Sequence, residues 1–186
     1  MNPLRKIVTF GVALGLIVFG YSQTKHAENT KRSWLGPFAP IAAQVQWVRA
    51  EQAIASGFPG RAIDFMESAV DLNPKSGSGW ITLADHLGLY LASAEAGWPM
   101  ETRAYWLETA LEVTRRGQSW ARHPDALAFH RGMLLLSHAR LVEPLTWRDS
   151  PHALWEDAVA AFDEAEELGH PGAEAAAEYA RAQIQQ

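Results

Sequence analysis

Cysteine is absent from the 186 residues of this chain, and that gap removes disulfides, thiolate metal sites, covalently attached c-type haem and cysteine nucleophiles together. A chain without thiols suits an oxidising or a reducing space equally. Basic excess is missing too: 16 Lys and Arg stand against 21 Asp and Glu, a formal net charge of -5, so there is no electropositive footprint of the kind nucleic-acid binding needs. Nucleic acid is set aside as a partner on that ground. No glycine-rich phosphate loop, nucleophile elbow or paired-carboxylate motif appears, and no stretch alternates at period two for long enough to make a strand. The expected class is all-α, with no enzyme activity and no cofactor.

The seven histidines lack the spacing that sets two imidazoles on one helical turn. His130 and His138 are eight apart, and His123 and His170 neighbour prolines in turns, so solvated or capping roles are expected and a metal is not. Asp85 and His86 are adjacent, hence about 100° apart on a helix and unable to act as a dyad with each other. The acidic residues Asp163, Glu164, Glu166 and Glu167 read as a solvated helix face. Tryptophan, by contrast, is abundant, with eight residues, and such rings favour helix interfaces and partner surfaces.

The one long apolar run, Ile7 to Tyr21, follows Arg5 and Lys6, and no charge recurs before Lys25. The 18 uncharged residues from Ile7 to Thr24 make a helix of about 27 Å, which just crosses a hydrocarbon core. Residues 1–24 are therefore expected to form a transmembrane signal anchor, with Tyr21 at the interface and the pair Gly11 and Gly15 open to close approach by another membrane helix. The basic pair directly before the run places the rest of the chain on the exported side, a periplasmic domain on a bacterial inner membrane. A secretory signal cut after Ser22 is the competing reading, because Gly20 and Ser22 are small.

Residues 25–40 read as a polar, then turn-rich linker ending at Gly36, Pro37 and Pro40. From Ile41 apolar residues recur at three- and four-residue spacing, broken at glycine and proline. The pattern predicts about seven helices, near 41–56, 60–72, 77–96, 100–117, 124–142, 151–168 and 172–184. Pro124 and Pro151 suit first-turn positions, and Ser150 suits an N-cap.

Small and large residues repeat inside these helices. Ala62, Met66 and Ala69 stand four and three apart, with Pro74 following; Ala158, Phe162 and Ala165 show the same steps. Trp80, Leu83, Ala84, Leu107 and Ala110, then Gly132, then Ala176, Tyr179 and Ala180 continue the scheme, and Trp47 and Ala50 begin it. Over residues 43 to 186 the chain resembles the tetratricopeptide-repeat family, in which small residues let paired helices close into hairpins of 34 residues. It departs from that pattern where segments around Gly97-Trp98-Pro99 and from Glu143 to Asp149 lengthen the second and third repeats.

The resemblance implies antiparallel helical hairpins over residues 41–186 and an inner face built from the first helix of each hairpin. Trp47 and Glu51 would line it from the first repeat, beside Gln44; Ile81 and Asp85 from the second, beside Ser78; Phe129 and Met133 from the third, beside Ala126. Such a face is apolar and slightly acidic, and it lacks the lysine, arginine and asparagine with which family members clamp a carboxyl-terminal peptide. It suits a helix or hydrophobic segment of a partner. The expected function is a membrane-anchored, non-catalytic interaction scaffold, an accessory or assembly subunit of a membrane complex, held to the bilayer by residues 7–24 and bound to other protein subunits, membrane proteins among them.

Overall fold

The computed structural model describes residues 35–141, 147, 150 and 152–185. The chain divides into two compact units, Met1–Ala39 and Pro40–Gln186. The expected anchor 1–24, with Gly11 and Gly15, and the linker up to residue 34 lie outside the described residues. Among the described residues no helix is long and apolar enough to cross a membrane.

Among the described residues of the second unit the regular elements are all helical, and they follow the glycine and proline punctuation. Helix α1 (Ala39–Ala55) is followed by α2 (Pro59–Leu72) and α3 (Gly77–Asp85), which runs on as a π-helical segment, His86–Leu91. Then come α4 (Met100–Gln118), α5 (Pro124–Ala139), α6 (Ala153–Glu167) and α7 (Ala173–Ile184). Pro59 and Pro124 occupy first-turn positions, where the missing N–H would have had no partner inside the helix. Ser76 caps α3 by accepting from the Gly79 N–H at 3.4 Å, satisfying one of the donors that a helix start leaves open.

Two helices end in the same way. After α1, Gly57 has φ +75°, the Phe58 N–H reaches the Ala53 carbonyl at 2.8 Å, and the chain turns into α2. After α6, Gly169 has φ +87° and the His170 N–H reaches the Ala165 carbonyl at 2.9 Å. Both are left-handed glycine stops that pair otherwise orphaned carbonyls, and a β-carbon would strain either turn.

Sequential helices pack on one another from α2 through α7, and α3 also meets α5. The repeated small residues form the seams. Ala50, Ala62, Ala69, Ala84, Ala110, Ala158 and Ala165 are all buried, and Trp80, Leu83, Leu107, Leu127 and Phe162 fill the spaces between them. Glycine takes the tightest crossings. A β-carbon on Gly117 would stand 2.7 Å from Trp80 Cγ, and one on Gly132 would stand 2.5 Å from Phe162 Cε1. In α7 the buried seam is Ala173, Ala177 and Ala180, so Ala180 is buried as expected, whereas Ala176 is half-buried and Tyr179 is 43% exposed.

The helix expected over 77–96 is the one that departs from regularity. Its α-helical part stops at Asp85, the Ala92 N–H donates five residues back to Leu87 at 3.0 Å, and a short 3-10 turn covers Ala94–Ala96. Side chains from α4 and α5 donate to the Gly88 and Ala92 carbonyls of this irregular stretch. The helix expected over 124–142 ends at Ala139, and that expected over 151–168 runs from Ala153 to Glu167.

Candidate functional site

The residues expected to line an inner face come from α1, α3 and α5. Trp47 is half-buried against the core, and its Cζ2 lies 3.5 Å from where a Gly79 β-carbon would stand, which ties α1 to the start of α3. Glu51 and Gln44 on α1 and Ser78 on α3 are exposed; Ile81 and Ala126 are half-buried. Met133 is 38% exposed. Phe129 is more engaged, with its ring stacked on His170 at 4.1 Å between centroids and tilted against Phe162 at 5.4 Å. Trp47, Ile81, Phe129 and Met133 thus leave apolar surface partly open to water.

Asp85 has a partner that spacing along the chain does not reveal. Its Oδ1 lies 2.8 Å from His130 Nε2, with side chains 39% and 19% exposed. The contact is close enough for an ion pair but is not aligned as a hydrogen bond. It bridges α3 and α5, so part of the acidity expected of this face is already directed at the chain's own imidazole. Among the described residues no group of three or more His, Asp or Glu side chains is placed to hold a metal ion.

Behind this surface is a polar layer that the sequence reading missed. His86 and His138, expected to be solvated or capping, are buried. His138 Nε2 donates to the Gly88 carbonyl at 2.6 Å, and Arg103 Nε donates to the Ala92 carbonyl at 2.9 Å. Gly88 and Ala92 are four apart, so the two clamps grip one side of the π-helical segment. A donating Nε2 is a neutral tautomer or an imidazolium, and burial decides between them. Desolvation lowers the His138 pKa from its ordinary value, the nearby Arg103 charge lowers it further, and the bond to Gly88 opposes them. His86 is also lowered, by burial alone.

The sign of the pH effect follows. With the folded pKa below the unfolded one, the unfolded chain binds more protons in the window beneath about pH 6.5. Stability from neutral His138 is fully present above that value and is lost as pH falls toward the folded pKa. His138→Gln, which keeps a donor for the Gly88 carbonyl and cannot titrate, is therefore expected to lose stability less steeply than the natural chain between pH 7 and pH 5 in urea melts at fixed salt. Parallel profiles would show that His138 does not carry this term.

A second buried cation joins the later helices. Arg131 donates to Gln118 Oε1 at 2.7 Å and to Glu164 Oε2, and Gln118 Nε2 donates to Glu164 Oε1 at 2.8 Å. Three side chains from α4, α5 and α6 thus close a ring of polar contacts, with Arg131 buried and Glu164 partly open to water. The acidic run on α6 is accordingly not all solvated face, since Asp163 also pairs, with Arg181 of α7. A long-range partner is invisible to local spacing.

No protein-family model matches the chain, and neither a curated protein nor a solved structure matches it.

Proposed function

We propose that the chain is a non-catalytic interaction scaffold of the tetratricopeptide-repeat kind, which docks a hydrophobic or helical segment of another protein on the face carrying Trp47, Glu51, Ile81, Asp85, Phe129 and Met133. The observation that carries this reading is the contrast within α1, α3 and α5. Their small residues Ala50, Ala84 and Gly132 are buried in the helix seams, while Trp47, Ile81 and Phe129, each three residues earlier, are only half-buried and Met133 is 38% exposed. Packing of α3 against both α4 and α5 supports a succession of hairpins, since first helices then adjoin one another along one side.

In this reading residues 1–24 anchor the chain, the helical domain is exported, and the partners are subunits of a membrane complex. The competing form is a soluble exported binding protein released by cleavage near Ser22. Intact mass of the protein recovered from membranes separates them, because a chain beginning at Gln23 has no span left to hold it.

Glu51→Arg with Met133→Glu tests the docking face with little risk to folding, since both side chains are exposed. The doubly substituted chain, purified in mild detergent, is expected to lose most of the protein that co-purifies with the natural chain while keeping its helical content and melting temperature. Recovery of the same partners at the same yield would place the contact elsewhere.

A further inference from the structure

Outside that face, α4 presents a row of different chemistry. Glu101, Tyr105, Glu108 and Glu112 follow at steps of four, three and four residues, which sets them on one side of the helix. All are exposed, Tyr105 at 59%. Glu112 pairs with Arg115 at 3.4 Å. Among the described residues Glu101 and Glu108 form no ion pair. Elsewhere in the same stretch Trp98 is 46% exposed, Glu95 is exposed, and Tyr90 is 57% exposed with one ring face stacked on His86.

The charge of this hairpin is one-sided. Between Lys75 and Arg115 the only Lys or Arg is Arg103, and it is buried with its Nε turned to the Ala92 carbonyl. Every exposed Lys, Arg, Asp or Glu from residue 76 to 114 is therefore an acid, set among accessible aromatic rings. Ring faces and carboxylates attract the same thing, a cation. A guanidinium answers both, because it is planar and weakly hydrated, stacks on aromatic rings and forks onto carboxylates, whereas an ammonium is a compact and strongly hydrated point charge. Anionic lipid headgroups would be repelled by the same acids.

We infer that this row docks an arginine-bearing segment of a partner protein, with a guanidinium over the Tyr105 ring and paired to Glu101 or Glu108. The surface is separate from the inner face, and its test does not depend on that face. The full-length chain in mild detergent is titrated against a fluorescein-labelled peptide of Gly-Ser-spaced arginines, and against its lysine counterpart, with anisotropy read at about 0.15 M salt to screen long-range attraction. The arginine peptide is expected to bind more tightly than the lysine one. Tyr105→Ala weakens it about threefold, and Glu101→Gln with Glu108→Gln about fivefold. Glu166→Gln with Glu167→Gln, which removes equal charge from exposed positions on α6, leaves binding nearly unchanged, as does the Glu51→Arg, Met133→Glu pair.

Equal weakening by the α6 pair would show that net charge alone attracts the peptide and would overturn the assignment. So would unchanged binding in Tyr105→Ala, or equal affinity for the two peptides.

Discussion

Trp80→Ala is expected to lower the unfolding free energy by about 3–5 kcal/mol, the range for deleting a fully buried large aromatic. Trp80 is 1% exposed and sits where three elements meet. Its ring lies under the backbone of Gly117 on α4, the Arg116 guanidinium stands 5.0 Å above it, and its Nε1 donates to the Pro74 carbonyl at 2.8 Å in the turn before α3. Truncation opens a cavity and leaves a buried carbonyl without its donor, two costs that add. Against a typical total of about 5–15 kcal/mol the loss is large. For a domain of this length it corresponds to a fall of roughly 10 °C in melting temperature at about 2–4 °C per kcal/mol. Trp80→Phe keeps most of the ring and is expected to cost clearly less, the remainder being the hydrogen bond and the lost part of the indole. Calorimetry of the three proteins checks the order, and a fall of under 1 kcal/mol for Trp80→Ala would mean that this crossing is not packed as described.

Gly132→Ala comes next, at about 1–3 kcal/mol or more, the cost of forcing an added methyl into a filled core. Alanine is the better helix former by about 1 kcal/mol, so propensity alone predicts stabilisation and the steric term must exceed it. The added carbon would lie 2.5–2.8 Å from three atoms of the Phe162 ring. That ring is fully buried and packs against Phe129, of the same helix as Gly132, as well, so it has little freedom to retreat. The effect should therefore be coupled to Phe162. In a double-mutant cycle Gly132→Ala is expected to cost much less in a Phe162→Leu background, with an interaction energy of at least about 1 kcal/mol by urea denaturation. Additive effects would show that the methyl meets something other than this ring. The Gly117 and Trp80 pair has the same geometry and should couple in the same sense.

The two substitutions probe the small-residue scheme that is legible in the sequence. Ala62, Met66 and Ala69, and again Ala158, Phe162 and Ala165, occupy the buried seams, as their spacing implied. Trp80, Leu83, Ala84, Leu107 and Ala110 do the same. For the candidate docking face the sequence proposed the helices and the residue types. It could not show that Asp85 turns to His130 or that Phe129 stacks on His170.

The amino-acid order by itself determined the all-helical class and close bounds for the helices other than that over 77–96, because those depend on neighbours within a turn. Proline at a helix start, glycine at a left-handed stop and a three-to-four periodicity act locally, and Pro59, Pro124, Gly57 and Gly169 fall where such rules place them. Tertiary structure decided what lies across the seams. His138 meets Gly88 across 50 positions and Arg131 meets Glu164 across 33, and no local periodicity records a partner so distant. It also decided the π-helical stretch, since the regular helix expected through residue 96 yields where Arg103 and His138 take backbone carbonyls that the pattern along α3 assigned to the helix itself.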